Sequence, residues 1–193
     1  MLRKEHNNIG YLEGNLLVAT PLLNGSAFEK AVIYLCAHNE IGSMGILINH
    51  AINNLKYIDI LTQVGINSSE INFKNTPVYC GGPIESAKGF ILHTSDYYGL
   101  NTQVLHDNIS LTSTIDILQD MASGRGPHKR ILALGCAGWE AGQLEKEIKE
   151  NAWITIPATE TIMFDADDAD KWYQATNSLG INNVNYSYFV GNA

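Results

Sequence analysis

The chain has 193 residues, 45% of them hydrophobic and 17% charged, a balance that suits one globular domain and excludes a disordered chain. Its 12 Lys and Arg against 20 Asp and Glu give a formal charge of −8, which disfavours direct nucleic-acid binding and anionic membrane surfaces as partners. No apolar run approaches the roughly 20 residues that span a bilayer. The thiols Cys36, Cys80 and Cys136 are too scattered for a disulfide framework or a zinc ribbon, so a soluble cytoplasmic protein with reduced cysteines is expected.

Behind a polar tail over residues 1–10, "NLLVATP" reads as a short buried strand that stops before Pro21. "GSAFEKA" is expected to make a helical turn capped by Ser26. The apolar runs "AVIYLCAHN" and "MGILIN" flank a short loop and predict a hairpin. "LKYIDILTQVG" carries a helical stripe that ends at Gly65. "PVYC" and "GFILHT" predict strands around Gly81-Gly82-Pro83, and "NISLT" a further one. Ser113 and Asp116 form a helix-start pattern, with Gly124 as its stop.

"RILALGCAG" has the continuous apolar character of a strand buried on both faces. "WEAGQLEKEIKENA" follows as a helix with Leu144, Ile148 and Ala152 inward. "WITIP" and "TIMF" are expected as strands, and "DDADKWYQATNSLG" as a helix with Trp172 and Leu179 inward. The closing "VNYSYF" alternates like a strand, and its aromatic edge suggests a homo-oligomer. No linker or repeat divides the chain, so one domain over 1–193 is expected. Interspersed helices with hairpin-paired strands predict an α+β fold with a mixed, largely antiparallel sheet.

Three stretches, "LLVATPLLNGSAFEKAVIYLCAHNEIGSMGILIN", "VYCGGPIESAKGFILHT" and "ALGCAGWEAGQLEKEIKENAWI", resemble the signature blocks of the AlgH/YqgE family of bacterial proteins, in the family's order. The resemblance implies a branched sheet curled into a partial barrel and flanked by helices. One branch of that family bears the label of a regulator of alginate production. The resemblance marks His38, Asn39, Gly45, Gly81, Gly82, Pro83, Gly89, His93, Gly138, Trp139, Gln143, Glu147 and Trp153 as family-typical. Cys80 and Cys136 depart from the family pattern.

Several groups have the residue types of a site. Cys36 and His38, two apart on a strand, are expected on one face with Tyr34, as a nucleophilic pair or the start of a metal site with His93. No fourth ligand is evident, and no metal or other cofactor is expected. Gly81, Gly82 and Pro83 can form an anion nest or a simple turn. "ALGCAGWEAGQ" half-matches a nucleophile elbow at Cys136. Gln143, Glu147 and Asn151 make a polar stripe beside Trp139, suited to a ligand pocket or to helix docking. "GRGPHKR" (124–130) is the one compact basic cluster.

A pocket is therefore expected where Cys36, His38, Asn39, Gly81, Gly82, Pro83, His93, Trp139 and Gln143 converge. The leading expectation is a binding or regulatory protein acting through a small-molecule or protein partner. The alternatives are a hydrolase or transferase using the Cys/His pair with glycine-loop amides, and direct nucleic-acid binding.

Overall fold

The computed structural model describes residues 12–67, 75–106 and 108–180. Along the chain run β1 (Asn15–Ala19), β2 (Val32–Asn39), β3 (Gly42–Leu47), β4 (Ala51–Lys56), α1 (Tyr57–Gln63), β5 (Pro77–Cys80) and β6 (Ile84–Thr94). Then come β7 (Gln103–Val104), β8 (Ile109–Thr112), α2 (Ile115–Ala122), β9 (Arg130–Glu140), α3 (Gln143–Lys149), β10 (Trp153–Pro157) and α4 (Asp168–Asn177). The sheet order is β10-β1-β2-β3-β9-β6-β8-β7, and β4–β5 branch from β9. All pairings are antiparallel except β5 with β9. The α+β class and the branched, half-barrel sheet agree with the expectation from sequence.

The sheet buries both faces, which explains why its strands read as continuous apolar runs. On one face Leu16, Val18, Tyr34, Ile46, Phe90, Leu92 and Ala133 fill the inside of the curl, closed by Met163 and Trp172. On the other face Leu17, Ile33, Leu35 and Trp139 lie under Leu144 of α3. Farther along that face, Ile91 and Leu132 lie under α1 and α2, with Leu61, Ile117 and Leu118. Two hydrogen bonds from α4 to strand ends fix it in place. The Trp172 indole donates to the Ala19 carbonyl at 2.8 Å and the Lys171 ammonium to that of Ile48 at 2.9 Å.

Several elements differ from the sequence reading. "TIMF" is a single π-helical turn, Thr161–Asp165, which buries the adjacent side chains of Ile162 and Met163 together, as an alternating strand cannot. The turn expected at "GSAFEKA" is present: the Ser26 hydroxyl accepts the Phe28 N–H at 3.1 Å and its carbonyl the Glu29 N–H at 3.2 Å. The helix of "LKYIDILTQVG" starts at Tyr57, because Leu55 belongs to the unforeseen strand β4. Thr114, not Ser113, precedes α2, and Leu179 is 39% exposed. "VNYSYF", and with it the proposed oligomer edge, lies outside the described residues.

The glycine-rich connection at 81–83 does not join neighbouring strands. β5 and β6 lie on opposite edges of β9, since both pair with residues 132–134 of it. The chain must therefore pass across the β9 backbone, and it does so at Gly81–Gly82. A Cβ on Gly81 would stand 2.2 Å from the Gly135 carbonyl oxygen, and one on Gly82 2.2 Å from the Cys136 carbonyl carbon. Gly82 also has φ +149°, and Gly135 beneath it has φ +77°. The Gly81 N–H donates to Leu134 O at 2.8 Å and its carbonyl accepts from Leu47 N at 3.0 Å, so the crossing is a bonded part of the sheet.

Clash and backbone strain act together at Gly82, so Gly82→Ala is expected to cost about 3 kcal/mol or more in denaturant unfolding. Gly25→Ala, at φ +78° with no atom within 4 Å of its Cβ, isolates the backbone strain alone and should cost only about 1–2 kcal/mol. Equal losses at the two positions would refute the close crossing.

Candidate functional site

The expected site residues are distributed over three regions. The reason lies in two breaks of strand alternation. In β2 Cys36 shares the barrel interior with Val32 and Tyr34, as alternation requires, but the register with β3 shifts between Leu35 and Ala37, a bulge that reverses alternation beyond it. Beyond it, His38 pairs with Ser43, and Ser43 with Trp139, so these three share the opposite face. Cys36 and His38 thus point away from each other, contrary to the same-face expectation. In β9 the left-handed Gly135 does the same, turning Cys136 inward and Trp139 outward.

Each expected group is already engaged. Burial pushes the Cys36 thiol far above its ordinary range, and its sulfur lies 3.7 Å from Tyr34 O. His38 is 4% exposed. Its Nδ1 accepts from Leu12 N at 3.0 Å, so Nε2 carries the hydrogen and donates to Glu145 Oε1 of α3 at 3.1 Å. Asn39 Oδ1 accepts from Ile41 N at 2.9 Å in the hairpin tip. Cys136 lies within β9, which continues to Glu140, so there is no elbow turn at the thiol. Burial raises that thiol's pKa too.

Trp139 and Gln143 do meet, through a residue outside the expected pocket. Glu147 Oε2 accepts both the Trp139 and the Trp153 indole N–H, at 2.9 and 2.8 Å. Its other oxygen accepts from Gln143 Nε2 at 2.9 Å, while Gln143 Oε1 accepts from Glu140 N at 3.0 Å. The two indoles stand edge to face at 6.0 Å. This closed network docks α3 on the sheet; Gln143 and Glu147 of the polar stripe form a structural clamp, with the exposed Asn151 outside it.

His93 is fully buried on the α1–α2 side of the sheet. The Thr94 carbonyl, an acceptor only, lies 2.8 Å from Nδ1 and fixes the hydrogen there. Nε2 therefore accepts from the Thr112 hydroxyl at 2.9 Å, which in turn accepts from Thr102 at 2.8 Å. Burial lowers the His93 pKa.

Three of the four basic side chains of the 124–130 loop face carboxylates of the same chain. Arg125 pairs with Asp120 at 2.8 Å, and Lys129 with Asp165 at 2.8 Å and Glu160 at 3.4 Å. The ring of His128 lies 3.3 Å from Asp96. Among the described residues no group of three His, Cys, Asp or Glu could hold a metal ion.

Open space lies elsewhere. A cavity of about 180 Å³ is lined by Cys36 between Glu13–Gly14 and Gln103–His106. A larger cleft, about 330 Å³, opens between α1 and α2. Its floor is Gly89 and Ile91 of β6 beside their pairing partners Leu134 and Leu132 of β9. Ile60, Gln63 and Val64 form one wall, on one helical face. Ile115 and Leu118 form the other, with Ser113 and Thr114 at the rim. Val64 and Ile115 are 40% and 49% exposed, large apolar side chains left at its mouth.

Gly89 is the informative residue. A Cβ there would meet only Leu132 Cδ1, at an ordinary 3.9 Å, and its backbone needs no left-handed conformation. Neither packing nor backbone geometry demands glycine. The missing side chain keeps the cleft floor open. In the sequence this position carried only the family resemblance, and the helical stripes of "YIDILTQV" and "IDIL" read as ordinary core faces, so the cleft between them had no signal of its own.

Because the folded protein holds His93 neutral while the unfolded chain protonates near its ordinary pKa of 6.5, its contribution to stability is present above that value and lost as pH falls below it. Stability should decline between about pH 7 and pH 5.5, at up to about 1.4 kcal/mol per pH unit from this group. Denaturant titrations should show a flatter pH profile for His93→Gln. An unchanged slope in that variant would count against a neutral buried imidazole.

The family model described as AlgH-like matches residues 16–184. A UPF0301 protein of Rhodospirillum rubrum is 45% identical over 172 residues, 89% of each chain. One from Bradyrhizobium diazoefficiens is 40% identical over 194 residues, covering 97% of this chain and 91% of its own. The solution structure of the AlgH protein from Pseudomonas aeruginosa superposes with a TM-score of 0.77 at 34% identity, over 100% of this chain and 98% of that one. A crystal structure of a Corynebacterium diphtheriae protein shares the fold at 19% identity, with a TM-score of 0.69 over 92% and 90% of the two chains. With a matching family model over most of its length and relatives well above 30% identity, this chain belongs to the AlgH-like family.

Proposed function

We propose that this protein acts by binding, and that its ligand seat is the cleft between α1 and α2. The observation that carries this reading is the glycine at the cleft floor. Gly89 has room for a side chain and no conformational need to lack one, while Ile and Leu side chains line the space around it. Preformed concave sites with mainly apolar walls and a few polar rim groups are where small ligands bind.

The groups that could have supported a reaction favour the same reading. The Cys36 thiol is held protonated by burial, which removes the thiolate a nucleophile requires. His38 and His93 both spend their two ring nitrogens on hydrogen bonds within the protein. The Gly81 amide, the natural first donor of an oxyanion or phosphate cradle, is bonded to Leu134 O. Arg125 and Lys129 are paired with carboxylates, which weakens the case for phosphate contacts. None of the described helices is long and apolar enough to cross a membrane.

The neutral dye Nile red tests the proposal. Its fluorescence should rise on titration with the protein, and Gly89→Val should weaken binding by about tenfold or more, or about 1.4 kcal/mol. The variant should keep its unfolding midpoint, since the added side chain enters open space. No dye binding, or equal binding by a folded Gly89→Val variant, would remove the cleft as the seat.

A further inference from the structure

The lining of the cleft also specifies what it accepts, an inference that rests on the binding reading above. None of the described side chains that line it is charged. A dry cavity of roughly 150 Å³ walled by Leu, Ile and Phe holds one benzene. By that measure a space of about 330 Å³ takes a hydrocarbon body of about ten carbons. The polar groups at the rim are the neutral amide of Gln63 and the hydroxyls of Ser113 and Thr114. The Thr114 hydroxyl is committed to Leu100 O, 3.2 Å away, which leaves an amide and a hydroxyl to meet a ligand head.

Charge around the cleft points the same way. The acidic residues of the two flanking helices are Asp59 of α1, which accepts the Lys56 N–H at 2.8 Å, Asp116 in the first turn of α2, and Asp120, which pairs with Arg125; none of them lines the cleft. Asp116 offsets the positive end of α2, so the helix start at the rim is no seat for an anion. The nearby cation of β6, Lys88, is directed to the opposite face of the strand. Its ammonium lies 5.0 Å from the Phe90 ring centroid and 3.2 Å from Glu85. An anionic head group would meet no cation among the described residues that line the cleft.

We infer that the α1–α2 cleft takes a small uncharged molecule, with a hydrocarbon body of about ten carbons and one hydroxyl or carbonyl head, and discriminates against the corresponding carboxylate. Gly89 and Ala87, successive small residues on the cleft face of β6, set the depth to which the hydrocarbon enters.

The test is displacement of Nile red by decan-1-ol and by decanoate at about pH 7.5, where the acid is ionised. Decan-1-ol is expected to displace the dye at a concentration about tenfold or more below decanoate. Gly89→Ala should weaken decan-1-ol modestly and Gly89→Val strongly, a gradation that an unfolding artefact would not give. Equal or tighter binding of decanoate, or no displacement by either compound, would overturn the ligand class while the Gly89-sensitive dye signal kept the cleft as a seat. Loss of that Gly89 sensitivity would overturn both.

Discussion

The passage of the chain across β9 is the constraint on which the rest of the structure depends. One strand has to serve β3 and β5 on one edge and β6 on the other, and the segment from β5 to β6 can reach its place only over the β9 backbone. Side chains cannot be accommodated there, so Gly81 and Gly82 meet Gly135 directly. The crossing lets the sheet branch. The branch carries β4 and β5 and places α1 across the sheet from the start of α2, with β6 and β9 exposed between them.

The same crossing governs where side chains point. Gly135 adopts a left-handed backbone beneath it, which reverses alternation along β9. Leu132 and Leu134 face the helices α1 and α2, whereas Cys136 turns into the barrel and Trp139 emerges under α3. The α3 side is closed by a carboxylate shared between two indoles. The α1–α2 side is left open by a glycine. Two halves of one sheet face thus have opposite characters: one is bonded shut, and the other keeps a concave apolar surface.

Much of the architecture was legible in the residues. Gly65, Gly124 and the continuous runs of β1 and β9 marked their elements correctly, because helix stops and doubly buried strands have local causes. Where the sequence misled, tertiary geometry had overridden the local pattern. The bulge at Cys36 cannot be read from "YLCAHN", and without it strict alternation places Cys36 and His38 together. "TIMF" has strand composition but makes a π-turn, because the barrel end needs Ile162 and Met163 on one side. The glycines at 81–82 announced a special backbone but not its cause, since the strand they cross comes some 50 residues later in the chain. Trp139 and Gln143, expected at a pocket, both bond Glu147, which closes the space between them instead of opening it.

The central claim is that the space above Gly89 is where this protein meets its ligand. Its most direct test is an Ile and Leu methyl NMR spectrum with and without saturating Nile red, whose rings shift any methyl they touch. Perturbations are expected to concentrate at Ile60, Ile91, Ile115, Leu118, Leu132 and Leu134, which line the cleft. Shifts centred on Leu16, Ile46 and Leu92 inside the barrel, or on Leu17, Ile33 and Leu144 beneath α3, would place the ligand elsewhere and contradict it.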